Sequence, residues 1–260
     1  ELNQTLDSLS VPEMESFEHN GMPYGQLALP ALRWALRLHN LKDDHDTRKL
    51  YTQFIKSAHN VRLEFEKVLE DVKPQAVLVF NGLTFPEAVA KFLAEQRGIN
   101  VVTHEVSFQP FSSFFSAGHA TAYPINIPDN FELNDAQNAK LDEYLSKRFK
   151  GDFTMAGIKF WPDFQELDDA FMEKMCSFDQ MVTVFTNVIF DTSQVHANTL
   201  FPDMFAWLND LLTFIMSNPN TLFVIRAHPD EKRPGKTSRE AVSDWVAENK
   251  VKDLPNVVFY

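Results

Sequence analysis

The chain has 260 residues, of which 44% are hydrophobic and 23% charged, as in a globular protein with one large or two small domains. It carries 24 Lys and Arg against 36 Asp and Glu, and the resulting net charge of −12 argues against a nucleic-acid partner. The 24 Phe and only 8 Gly exclude collagen-like and linker-like chains.

Cysteine content, hydropathy and the chain ends further limit the class of protein that the sequence can encode. The single cysteine, Cys176, excludes an intramolecular disulfide and is typical of a reducing compartment. No run of 18 uncharged apolar residues is present, so no membrane span is predicted. His19, His39, His45 and His59 lack metal-ligand spacing, so no metal site is expected. Because the chain begins at Glu1 in a helix-like stretch and ends at 256–260 in a strand-like one, we expect a piece of a longer protein.

The first half of the chain predicts helices followed by a βαβ unit. Apolar residues recur at helical spacing over 27–40 and 46–72. Residues 76–80 form a continuous apolar run, typical of a strand buried on both faces. A helix over 85–96 and a strand over 100–103 complete the unit. This order predicts a parallel sheet, with function beyond the carboxyl ends of its strands.

A second α/β unit follows a less regular middle section. Residues 107–128 are aromatic and polar without a clear period, which is typical of a functional loop or of a cover over the core. The predicted boundary divides the chain into domains 1–175 and 176–260. The remaining predicted elements are helices over 133–149, 164–175, 203–216 and 237–247, strands over 181–185, 221–225 and 256–260, and a polar loop over 186–199.

The segment 226–239 holds five cations in 14 residues and directly follows a predicted buried strand. We expect Arg226 and His228 to bind an anionic group there, since guanidinium and imidazole groups donate to phosphate oxygens. The lysines are expected to be solvated and paired with Asp230 and Glu231. No phosphate-binding glycine loop, dinucleotide fingerprint, zinc-protease motif or nucleophile elbow occurs in the sequence.

Two other strand ends carry candidate residues. His104 and Glu105 form the best acid/base pair in the sequence, and a general base near a cleft needs such a group. A structural role, with Glu105 paired to a cation and His104 half-buried, stays open. Asn187 and Asp191, on the loop over 186–199, either bind phosphate or sugar hydroxyls or cap turns.

Three segments carry a resemblance to a known family. Residues 184–191 read VFTNVIFD, residues 204–208 read MFAWL and residues 223–231 read FVIRAHPDE. Together they resemble the capsule and surface-polysaccharide biosynthesis proteins of bacteria, which are glycosyltransferase-like proteins of the GT-B architecture. The resemblance covers about 50 residues well and the N-terminal half only in its layout.

The resemblance implies an α/β fold of two Rossmann-like parallel-sheet domains facing a cleft, the C-terminal one incomplete in this chain. The enzyme would transfer a sugar from a nucleotide sugar to a glycan or lipid-linked acceptor, with no metal and no cofactor. His228, Arg226 and Glu231, with Asn187 and Asp191, would lie on the donor side, and Glu105 or His104 would deprotonate the acceptor. The location would be cytoplasmic, with peripheral association at the inner face of the membrane through the assembly machinery.

Two other classes of function stay open at this point. One is a non-catalytic α/β scaffold or export partner that kept the fold and lost the site. The other is a sugar-nucleotide epimerase, which shares the two-domain architecture.

Overall fold

Two three-stranded sheets with helices packed against them organise this α/β chain. The structure is a computed structural model, and it describes residues 5–107, 109, 111–152, 167–192 and 194–260. Within these residues, no helix combines the length and apolar character needed to cross a membrane.

The N-terminal sheet consists of strands β1 (Ala76–Phe80), β2 (Asn100–Val106) and β3 (Ser113–Ser116), in that order. Strands β1 and β2 are parallel, which confirms the predicted βαβ unit, whereas β3 is antiparallel to β2. The helices of this half are α1 (Val11–Glu15), α2 (Tyr24–Leu36), α3 (His45–Val72), α4 (Glu87–Gln96) and α5 (Asp135–Phe149).

Helix α3 agrees closely with its predicted bounds because local signals set both ends. The Asp44 side chain accepts a hydrogen bond from the Thr47 backbone N–H (2.8 Å), which caps the first turn. Lys73 ends the helix in a left-handed conformation, directly before Pro74. Tyr51 and Ile55 of α3 are fully buried in the core that α1, α2 and α4 share.

Helices α1 and α2 approach each other closely at Gly25. A Cβ atom on Gly25 would lie 2.0 Å from the backbone oxygen of Met14, so only glycine fits at this position. The Tyr51 hydroxyl donates to the Gly25 carbonyl (2.9 Å), which fixes α3 against the same crossing.

The prediction that β1 is buried on both faces is wrong. Val77 and Val79 pack in the core with α4, but Leu78 and Phe80 on the opposite face are 59% and 45% exposed. The described helices cover one face of this sheet, and alternate strand residues face opposite sides. The middle section is also more regular than expected, since it holds β3 and a 3₁₀ turn at Ala120–Ala122.

The C-terminal sheet is parallel throughout and agrees with the predicted strands. It consists of β4 (Gln180–Phe185), β5 (Thr221–Arg226) and β6 (Val257–Phe259), in that order. The central strand β5 is buried over its first five residues, as expected of a strand covered on both faces. The helices of this half are α6 (Asp169–Cys176), α7 (Gln194–Ala197), α8 (Met204–Ser217) and α9 (Val242–Glu248).

Helix α6 belongs with the C-terminal sheet. Phe171 is buried against Leu222 and Val224, and Lys174 Nζ donates to the Val257 carbonyl (3.0 Å). The predicted domain boundary at 175/176 therefore falls in the last turn of a helix that packs on the second sheet. Residues 164–166 of the predicted helix 164–175 lie outside the described residues.

The end of α2 joins the two halves of the chain. Arg37 donates from Nη2 to the Gly235 carbonyl, and its own carbonyl accepts from the Arg239 N–H, both at 3.0 Å. The Glu240 carboxylate accepts from the backbone N–H groups of His39 and Asn40 at 2.6 and 3.1 Å. These contacts hold the segment after β5 against the N-terminal half.

Candidate functional site

A cleft of about 850 Å³ lies where strand ends from both sheets meet. Its volume is within the range of small-molecule sites in proteins, about 300–1,000 Å³. The position is the one expected for ligands of parallel sheets, beyond the carboxyl ends of the strands. Its walls come from α2 and α3 (Ala31, Trp34, Phe54), the end of β1 and its turn (Phe80, Asn81, Thr84, Phe85), the end of β2 and the following segment (Glu105, Val106, Thr121, Tyr123), the loop after β4 (Asn187, Val188, Asp191, Thr192) and the segment after β5 (His228, Pro229, Asp230, Arg233, Lys236).

Four of the seven predicted site residues line this cleft. They are Glu105, Asn187, Asp191 and His228. The first comes from the N-terminal half and the other three from the C-terminal half, so the fold brings together residues up to 123 positions apart in the chain.

Asn81 holds the Glu105 carboxylate in place. Asn81 Nδ2 donates to Glu105 Oε2 at 3.1 Å, and the backbone N–H of Val106 donates to Oε1 at 2.9 Å. Asn81 is buried and adopts a positive φ of 59°, a conformation that Asn tolerates better than most residues. The same Nδ2 lies 3.4 Å from Thr192 Oγ1, which ties this corner to the loop after β4.

His104 does not share the cleft with Glu105. Consecutive residues of a strand face opposite sides of the sheet, and the two side chains do so here. The His104 ring lies between Phe80 and Phe115, with ring centroids 5.3 and 5.7 Å apart, on the face that carries the exposed apolar residues. The predicted pair therefore contributes one residue to the cleft.

His228 presents a neutral imidazole to the cleft. Its Nδ1 accepts a hydrogen bond from the Asp230 backbone N–H (3.1 Å), so the neutral ring carries its proton on Nε2. Burial lowers the pKa of His228, and the carboxylates of Asp230 and Asp191 oppose that effect. At neutral pH the residue is thus a hydrogen-bond donor through Nε2.

The loop after β4 combines turn formation with polar groups at the cleft. Asn187 Oδ1 accepts from the Val188 N–H (2.8 Å), and the Asp191 N–H donates to the Val188 carbonyl (3.1 Å). Both residues also line the cleft. The two sequence interpretations, turn formation and ligand binding, are compatible in this geometry.

Arg226 and Glu231 lie outside the cleft walls. Arg226 is exposed at the end of β5, where its carbonyl accepts from the Thr186 N–H (3.2 Å). Glu231 is 1% exposed, and its carboxylate accepts from the Val242 N–H at the start of α9. Burial raises the pKa of Glu231 to about 7, although the Val242 N–H opposes that rise. Its observed contacts are structural.

The sequence patterns did not single out four of the residues that line the cleft. Trp34 comes from α2, whose helical period gave no reason to separate one aromatic residue from the core. Tyr123 donates to the Val106 carbonyl (2.6 Å), and burial raises the pKa of its hydroxyl. Arg233 and Lys236 were recognised as members of the cationic segment 226–239, but neither was named as a site residue, and the lysine was expected to be solvated. A basic cluster after a buried strand was the available signal for these two.

The chain matches no protein family, no curated protein and no solved structure. Among the described residues, no three His, Cys, Asp or Glu side chains are grouped so that they could hold a metal ion.

Proposed function

We propose that this chain belongs to a GT-B-type glycosyltransferase of bacterial surface or capsular polysaccharide biosynthesis, acting in the cytoplasm at the inner face of the membrane. In this proposal the two sheets are the cores of two Rossmann-like domains. The cleft between them binds a nucleotide sugar and a glycan or lipid-linked acceptor. The observation that carries the proposal is the cleft at the carboxyl ends of β1 and β2 and of β4 and β5, lined by Glu105, Asn187, Asp191 and His228.

The proposal gives each of these residues a role. Glu105 takes the proton from the acceptor hydroxyl as its oxygen forms a bond to the anomeric carbon. The bond from that carbon to the nucleotide diphosphate breaks, and the diphosphate leaves with the electron pair. His228 donates from Nε2 to the leaving oxygen, which stabilises the charge that develops there. Asn187 and Asp191 hold sugar hydroxyls.

The first test compares Glu105→Gln and His228→Ala with His104→Ala in the full-length protein. Glu105→Gln removes the base and keeps the shape of the side chain, but it keeps only one of the two oxygens that accept from Asn81 Nδ2 and the Val106 N–H. We expect donor binding to persist and transfer to fall about 100-fold or more. His228→Ala should weaken donor binding and transfer by about tenfold or more. His104→Ala, one residue away on the other face of β2, should remain within about threefold of wild type.

Donor binding is measured by calorimetric titration with a panel of nucleotide sugars. Transfer is measured by a product assay with and without acceptor. Failure of every nucleotide sugar to bind would contradict the proposal and favour the non-catalytic scaffold. Interconversion of the sugar without acceptor would favour the epimerase. Equal losses in His104→Ala and Glu105→Gln would remove Glu105 from the mechanism.

A further inference from the structure

We infer that the contact between His119, His196 and Thr121 is an acid-sensitive junction between the two halves of the chain. This histidine contact is intact while both imidazoles are neutral and breaks when both carry a proton. Its loss frees the loop after β4, which forms part of the cleft wall, so acid loosens the cleft. The inference concerns the shape of the cleft and does not depend on the proposed reaction.

The first observation is that two histidines from different halves meet at a buried threonine. His119 directly precedes the 3₁₀ turn Ala120–Ala122 of the N-terminal half, and His196 lies on α7 of the C-terminal half. Their ring centroids are 5.0 Å apart, and His196 Nε2 lies 2.8 Å from Thr121 Oγ1. Because Thr121 is buried, this hydrogen bond is partly shielded from water and links the two halves directly.

The second observation is the set of charges that act on the two rings. Lys91 and Glu95 of α4 act on His119, and they form an ion pair with each other, Nζ to Oε1 at 3.1 Å. Partial burial lowers the pKa of His119, Lys91 adds to this effect and Glu95 opposes it. Partial burial also lowers the pKa of His196, and His119 adds to that effect. Both rings are therefore held in the neutral form near neutral pH.

Neither imidazole has a carboxylate partner that would hold a proton on it. Within the part of the chain that the structure describes, neither His119 nor His196 forms an ion pair. Asp191, the carboxylate of the loop before α7, acts on His228 across the cleft wall. A proton added to one ring of the histidine contact thus faces the second ring without an anion bound to either.

The third observation is that the two sides of the histidine contact are held differently. On one side, the Ala120 N–H donates to Thr103 Oγ1 of β2 at 2.9 Å, and that hydroxyl donates to the Gly118 carbonyl at 2.8 Å. On the other side, α7 has four residues, and the N–H groups of Gln194 and Asn198 donate to carbonyls of their own loop. The turn is bonded to the sheet, so α7 is the side that we expect to move.

Acid should break the histidine contact for a thermodynamic reason. The ordinary pKa of histidine is 6.5, and both rings titrate below it in the intact contact. As the pH falls below 6.5, a separated state takes up protons that the intact contact excludes, so acid favours separation. Histidine clusters act in this way in other pH-sensitive interfaces. The contacts of Asn81 and Glu240 with the opposite half involve no imidazole, so they keep the halves joined.

Nuclear magnetic resonance of the full-length protein at pH 8 and pH 5 tests the inference. The first readout is the nuclear Overhauser effect between the His196 ring and the Thr121 methyl group, which reports the contact itself. In wild type we expect this signal at pH 8 and a loss of about fivefold or more at pH 5. The second readout is the pKa of His196, measured from the titration of its ring protons.

The variants are His119→Asn and the matched control His45→Asn, which changes an exposed histidine of α3. His119→Asn removes the repulsion and keeps the hydrogen bond to Thr121, so the pKa of His196 should rise. Its Overhauser signal at pH 5 should stay within about twofold of that at pH 8. His45→Asn should behave as wild type. A wild-type signal that persists at pH 5, an equal loss in His119→Asn, or an unchanged pKa of His196 would overturn the inference.

Discussion

The buried carboxylate of Glu231 stabilises the start of α9 but loses its hydration. Its two oxygens lie 3.2 and 3.1 Å from the Val242 backbone nitrogen, and the side chain is almost fully buried. This contact satisfies a backbone donor at the start of α9, which would otherwise be buried without a partner. The cost is the loss of hydration of the charged carboxylate, which is why the pKa rises to about 7.

Replacing Glu231 with Gln should therefore alter the dependence of stability on pH. The ordinary pKa of the side chain is 4.5, and the folded protein raises it to about 7. Between these values the folded state binds more protons than the unfolded chain, so the wild-type protein loses stability as the pH rises. The loss is on the order of 3 kcal/mol and is complete above about pH 7. Glu231→Gln keeps an oxygen acceptor for Val242 and removes this titration.

Urea unfolding at pH 5 and pH 8 measures the effect. We expect the free energy of unfolding of Glu231→Gln minus that of wild type to increase by about 2 kcal/mol from pH 5 to pH 8, which means that the variant gains stability relative to wild type. Asp210→Asn, an exposed change on α8, is the control and should follow the wild-type profile. Parallel profiles for wild type and Glu231→Gln would show that Glu231 does not titrate in this range.

At the scale of elements, the segment between β5 and α9 is held by the end of α2. Glu240 supplies the strongest part of this contact, since its carboxylate accepts two backbone hydrogen bonds, from His39 and Asn40. His39 is itself buried. Hydrogen bonds to a charged acceptor contribute more than neutral ones, and a buried donor left without a partner is costly.

Glu240→Ala should lower the free energy of unfolding by about 2 kcal/mol, because both N–H groups lose their acceptor. Glu240→Gln keeps one oxygen and should lose less. Glu248→Ala, which removes an exposed carboxylate at the end of α9, should change stability by less than about 0.5 kcal/mol. Urea midpoints at pH 7 compare the three variants. A midpoint for Glu240→Ala equal to that of Glu248→Ala would mean that the junction does not depend on this carboxylate.

The elements were largely predictable from the sequence where the signals are local. Helix α3 has a capping residue before it and a proline after it, and β5 is an uninterrupted apolar run. Strand β3 was missed because its pairing depends on β2, whose predicted end at residue 103 lies three residues before the observed one. The exposed face of β1 was missed because a short apolar run cannot show how many faces will be covered.

The residues of the candidate site were likewise predictable only where a local signal in the sequence marks them. Glu105 lies near the end of β2, and Asn187, Asp191 and His228 follow strands, so the rule for parallel sheets is enough to bring them to one edge. Trp34 and Lys236 meet only because α2 packs against the segment after β5, a contact between residues about 200 positions apart. No local pattern encodes such a contact, so the sequence pointed to the cationic segment 226–239 but not to the aromatic residue of α2 that lies beside it.

At the scale of the whole molecule, hydrogen bonds join the two halves at three places. Asn81 contacts Thr192, and the Thr121 hydroxyl lies 2.8 Å from His196 Nε2. The Glu240 contacts join the end of α2 to the segment after β5. A cleft whose walls belong to two sheets keeps its shape only if the two sheets keep their positions relative to each other. We therefore expect the two halves to unfold as one cooperative unit.

Native-state hydrogen exchange tests this expectation, because it reports an opening free energy for each amide. The slowest amides of β1 and β2 and those of β4 and β5 should give opening free energies within about 1 kcal/mol of each other. Glu240→Ala should lower both sets by the same amount, about 2 kcal/mol, since the contact lies between the halves. A variant that lowered only the C-terminal set would show two independently stable halves. In that case the cleft would be shaped by ligand binding rather than formed in advance, and the binding of a nucleotide sugar should then raise the protection of both sheets together.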